Sequence, residues 1–107
     1  MTRKFSEQYA IFKSRPGMYL MSGTYGEVCA FIDGMDLCSG EQVMGSFRLW
    51  MIDRGVIRPE LSWWLLILGE LYPGNRPPNP KLFSTAENGL AISKLFELLD
   101  TYLSQLQ

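Results

Sequence analysis

No histidine occurs among the 107 residues. That removes the commonest general base near neutral pH, the usual serine and cysteine triads, and most zinc sites. Cysteine is nearly as scarce, with Cys29 and Cys38 alone. Nine residues apart on one helix, they would stand about 13.5 Å apart along the axis. A disulfide needs Cα atoms within about 7 Å. Two free thiols in a reducing compartment are therefore expected. Their spacing also matches no metal-ligand pattern.

Charge of one sign is not in excess either. Ten basic and eleven acidic residues leave a net charge of -1, which argues against a nucleic-acid binder. Long hydrophobic runs are missing: the nearly apolar run Leu61 to Leu68 is less than half of a membrane span. The start, "MTRKFSEQYAIFK", is too polar for a signal peptide. A cytoplasmic protein with no membrane partner is expected. Gly17, Gly23 and Gly26 lack the strand-to-helix setting of a phosphate loop. No strand alternation and no internal repeat is visible.

Apolar residues make up 47% of the chain and charged residues 20%, the balance of one compact domain over residues 1–107. The periodicities are helical throughout. Phe5, Tyr9 and Phe12 recur at i, i+4, i+7, which predicts a helix over 4–14. In "RPGMYL", Pro16 closes that helix and Pro16-Gly17 suits a type II turn. Met18, Tyr19 and Leu20 then read as a short extended tether laid into the core.

Thr24 and Glu27 have capping-box spacing and open a second helix, which Ser39-Gly40 ends. Val28, Phe31, Ile32 and Met35 share one face of it. Gly26, Ala30 and Gly34 form a stripe beside that face, where another backbone could pack closely. Each glycine costs roughly 1 kcal/mol in helix propensity, so such packing is expected as the offset. Cys29, Asp33 and Asp36 occupy the remaining face.

Val43, Met44, Phe47, Trp50 and Met51 place a third helix at about 42–53, followed by a connector at Arg58-Pro59-Glu60. Ser62 is positioned to cap a fourth helix, "WWLLILGEL", apolar nearly all round and so expected at the centre. The stretch "PGNRPPNP" reads as a stiff loop. Ser84 and Glu87 form a second capping box and open a last helix at about 85–105. Its apolar face is Ile92, Leu95, Phe96, Leu99, Tyr102, Leu103 and Leu106, with Lys94, Glu97, Thr101 and Ser104 facing water. The fold class expected is all-α, a single-domain bundle of about five helices.

No catalytic residue, metal ligand or cofactor site is expected from this composition, and the chain is read as a non-enzyme. Asp33 and Asp36 are neighbours at i, i+3 and could do acid–base work, although a solvated acidic face is the simpler explanation of them. Two features suit recognition. Asp33, Asp36 and Glu41 form an acidic run whose closest basic residues are Arg15 and Arg48. Such a run attracts a cationic partner, or merely keeps the protein soluble. The adjacent Trp63 and Trp64 point about 100° apart on a helix. One of them left outside the core would be a binding anchor, while burial of both would make them core.

The set "RPGMYL", "FIDGMD", "GSFRLWMIDRG", "LSWW" and "LFELLDTYL", from Arg15 to Leu103, resembles small bacterial immunity proteins of contact-dependent growth-inhibition and other polymorphic toxin systems. The resemblance implies an all-helical cytoplasmic protein that binds one cognate toxin domain and blocks its active site. It implies toxins that are often nucleases, RNases among them, with basic clefts. A monomer in a 1:1 complex is expected. The shared motifs read as core and turn residues, so the contacting positions come from charge and exposure instead: Asp33, Asp36, Glu41 and Trp63. Two other readings stand beside this one. One is a regulatory helical module, dimeric through the Trp63/Trp64 surface. The other is an enzyme or small-ligand binder with a pocket under Met18–Leu20.

Overall fold

A computed structural model describes residues 4–55, 59–74 and 76–106. Within them the chain forms α1 (Phe5–Ser14), α2 (Tyr25–Ser39), α3 (Val43–Asp53), α4 (Trp63–Leu71) and α5 (Thr85–Gln105). Short 3-10 turns lie at Pro16–Met18 and Pro80–Leu82. No strand occurs among the described residues, and the architecture is the all-α bundle that the periodicities predict. Arg58 of the expected connector and Asn75 of the proline-rich loop lie outside the described residues.

The helix boundaries follow from capping chemistry. At α5 the box is complete: Glu87 N–H donates to Ser84 Oγ, and Ser84 N–H donates back to Glu87 Oε1. At α2 only half forms. Thr24 Oγ1 accepts from Glu27 N–H, but the Glu27 carboxylate accepts from Ser22 N–H and Gly23 N–H instead of Thr24. These donors hold its pKa below the ordinary glutamate value. Ser62 occupies the cap position of α4 without capping it, and its Oγ is buried with no partner among the described residues.

The bundle measures 43 × 31 × 19 Å, so its thin dimension is about two helix diameters. Phe5, Phe12, Tyr25, Ile32, Phe47, Met51, Ile67, Leu95 and Leu99 are fully enclosed. Burial of each such side chain contributes about 1.5–3 kcal/mol. Phe47 is an aromatic hub, with Trp50, Trp63 and Tyr102 ring centroids at 5.8, 6.2 and 5.6 Å. The α5 face is shifted from the expected one: Ala91 and Leu98 are buried, while Leu106 is exposed. α4 packs on α3 and α5, but α2 touches α1, α3, α5 and the turn at Pro80–Leu82. The position linking most elements thus belongs to α2, not to the more apolar α4.

Two local expectations are corrected. The segment after Pro16 is not an extended tether. Met18, Tyr19 and Leu20 N–H groups donate back to Arg15 and Pro16 carbonyls, winding a 3-10 turn with Pro16 at its first position. Gly17 stays out of the positive-φ region that a type II turn requires. The tight winding turns Met18 outward, while Leu20 packs against the core and the half-exposed Tyr19 ring lies beside Phe12 and Phe31. The small-residue stripe of α2 receives no backbone either: Gly26, Ala30 and Gly34 are exposed. A Cβ on Gly26 or Gly34 would meet nothing within 4 Å.

Candidate functional site

Each of the three acidic positions singled out above ties α2 or its exit to another helix. Trp63 Nε1 donates to Asp33 Oδ1 at 2.9 Å. Val43 and Met44 N–H donate to Asp36 Oδ1 and Oδ2 at 2.7 and 3.0 Å. Phe5 N–H donates to Glu41 Oε2 at 2.6 Å, which caps α1. Asp36 must cap α3 from the preceding helix for a geometric reason. The residue at the cap, Gln42, has φ 56, and its own side chain makes no capping bond. Gly40 at φ 71 makes the tight reversal possible.

All these donors are neutral, so none brings an opposite charge to the carboxylates. Residues 16–47 carry Glu27, Asp33, Asp36 and Glu41 and no lysine or arginine. None of the four pairs with a described base. Three acids elsewhere do pair with a base: Asp100 with Lys13, Glu70 with Arg54 and Glu97 with Lys94. The result is a stretch of four carboxylates without a matching base, in a chain whose remainder is net positive. Asp33 has its pKa raised, first by burial and then by the Asp36 charge, with the Trp63 hydrogen bond opposing both.

Beside Asp33 lies a hollow of about 500 Å³. Its floor is Gly26, Cys29, Ala30 and Asp33, positions i, i+3, i+4 and i+7 of α2. Its walls include the Trp64 and Phe83 rings, with Lys81 and Asn88 also lining it. Asn88 Oδ1 accepts from Tyr25 N–H, and Tyr25 Oη donates to the Trp64 carbonyl at 2.6 Å, so the two sides are bonded together. Cys29 is buried in the floor. Burial, with the Asp33 charge adding and the Tyr25 hydroxyl opposing, pushes its thiol up to about 12. It is therefore a neutral packing group at pH 7 and not a nucleophile. Cys38 is exposed and free.

Other concavities are of a different character. One of about 440 Å³ lies on the outer side of α4, between Leu61, Leu65 and the Arg54–Glu70 pair. The hollow near Tyr19, of about 200 Å³, is shallow and lined by Ile11, Phe12, Phe31 and Met35. Among the described residues no group of three or more Cys, Asp or Glu side chains could hold a metal ion. No described helix is long and apolar enough to cross a membrane.

The structure brings Asp33 and Trp63 together, but not as two surface contacts. Trp63 is 6% exposed, packed edge-on to Phe47, and presents only its N–H to Asp33. The expected anchor role therefore does not fall to its ring. It is Trp64, half-buried, that faces the hollow. Asp36 and Glu41 point to helix N-termini rather than into the hollow. Sequence reasoning missed Trp64, Phe83 and Lys81 as one surface. The signal available is the Gly26–Ala30 stripe, whose open space borders the hollow instead of receiving a packed backbone. Compared with known protein families, with characterised proteins and with solved structures, the chain matches none of them.

Proposed function

We propose that this chain is an immunity protein that binds a cognate toxin domain and occludes its active site, with the α2 face as the contacting surface. The observation that carries the reading is the uncompensated carboxylate set. Glu27, Asp33, Asp36 and Glu41 are held by neutral N–H donors and meet no described base. Such preoriented charge speeds encounter with a basic cleft and loses little side-chain freedom on binding. Steric occlusion requires no chemistry from the inhibitor. The sequence resemblance to immunity proteins supports the same reading, and a nuclease is the toxin class whose cleft has the complementary charge. An interface of the standard size would bury about 800 Å² on each partner.

The test is to mix the protein with the C-terminal domain encoded immediately upstream. A stable 1:1 complex and loss of that domain's toxicity are expected. No complex at micromolar concentrations removes the proposal.

A second reading, a self-associating helical module, draws on the exposed Ile11, Met18 and Tyr19 beside half-buried Phe31. Sedimentation distinguishes it, since a tight dimer without any partner favours the module.

A further inference from the structure

Asp33 differs from Glu27, Asp36 and Glu41. Trp63 Nε1 fixes its Oδ1, while no described group bonds Oδ2. Its carboxylate borders the hollow, at the end of a floor made of small side chains. The floor has unfilled room, because a Cβ on Gly26 would touch nothing within 4 Å. The half-buried Trp64 indole forms a wall, and the Tyr25 hydroxyl holds its backbone carbonyl in place. A carboxylate head, an aromatic wall and a slender apolar floor complement a planar cation on an apolar stem. Arginine meets that description better than lysine. Its guanidinium stacks on aromatic faces and offers paired N–H groups to a carboxylate.

We propose that the hollow beside α2 receives an arginine side chain of the partner protein, with its guanidinium on Asp33 and its plane against Trp64. The identity of that partner rests on the inhibitory reading above; the affinity for arginine does not. Asp36, one helical turn away, adds to the attraction and to the raised Asp33 pKa. Lys81 also lines the hollow and opposes a cation, so its removal strengthens binding.

The experiment titrates the intact protein with N-acetyl-arginine-N-methylamide and follows the Trp63 indole N–H and the Gly26 and Ala30 amides by NMR. The neutral citrulline analogue is the control. A saturable shift with the arginine probe is expected, at least tenfold weaker with citrulline. Asp33→Asn, which keeps an oxygen for Trp63, abolishes it, and Lys81→Ala strengthens it. Ala30→Leu fills the hollow from an exposed helix position and also blocks it. Equal shifts from the two probes, no shift at all, or undiminished binding by Asp33→Asn overturns the proposal. Arginine binding without any toxin complex would sink the inhibitory reading alone. A toxin complex indifferent to Asp33→Asn would sink this inference alone.

Discussion

Trp63 Nε1 donates to Asp33 Oδ1 across 2.9 Å, joining a core indole on α4 to a surface carboxylate on α2. Substitutions at Asp33 therefore separate charge from hydrogen bonding. Asp33→Ala strands the indole N–H at a buried residue and costs about 1–3 kcal/mol. Asp33→Asn retains an acceptor for the indole and avoids that loss. Urea denaturation of the two variants checks the order, and equal losses would contradict it.

The pH dependence of stability follows from the same residue. The raised Asp33 pKa means that the folded state binds more protons than the unfolded chain between the ordinary aspartate pKa and the folded one. Stability from this group therefore falls as pH rises through that window. Glu27 acts oppositely: its pKa is lowered, so its contribution is present above the ordinary glutamate pKa and is lost as pH falls through the folded value. Asp33→Asn removes the first slope. Its melting temperature should match the wild type in acid and exceed it at pH 7. A difference independent of pH would count against the assignment.

Asp36 caps α3 across the Gly40–Gln42 reversal with both oxygens. Asp36→Ala releases two backbone N–H groups and should cost about 1–2 kcal/mol, in the range of lost N-caps. Asn at this position keeps one acceptor and should recover part of it. Hydrogen exchange localises the effect: the amides of Val43 and Met44 should lose protection while those of α5 keep theirs.

The two exposed glycines of α2 offer a contrast between fold and surface. Gly34→Ala and Gly26→Ala should each stabilise the protein by about 1 kcal/mol, since each added methyl meets open space. Only Gly26 lines the hollow. Gly26→Leu should therefore weaken the arginine probe, whereas Gly34→Leu should leave its binding unchanged. Calorimetric melting and the NMR titration measure the two effects separately.

Much of the bundle is legible in the sequence because its signals are local. The i, i+4, i+7 spacing of Phe5, Tyr9 and Phe12 states a buried face, and Ser84 with Glu87 states a helix start within four residues. What fails is whatever depends on distant groups. Asp36 reads as a free surface acid until α3 folds back onto it. Glu27 has capping-box spacing, but Ser22 and Gly23 offer it competing donors. "WW" leaves open whether both tryptophans are core or one lies at the surface, and the outcome depends on where Phe47 and Asp33 lie. The apolar "MYL" reads as core because composition does not show that the Pro16 turn points Met18 outward.

Inhibition of the proposed toxin partner, titrated with wild-type protein and with Asp33→Lys at fixed salt, tests the central claim most directly. The account predicts that wild type abolishes toxin activity at one equivalent, and that the charge-reversed protein, equally folded by circular dichroism, needs a large excess. Full toxin activity in the presence of excess wild-type protein would contradict it.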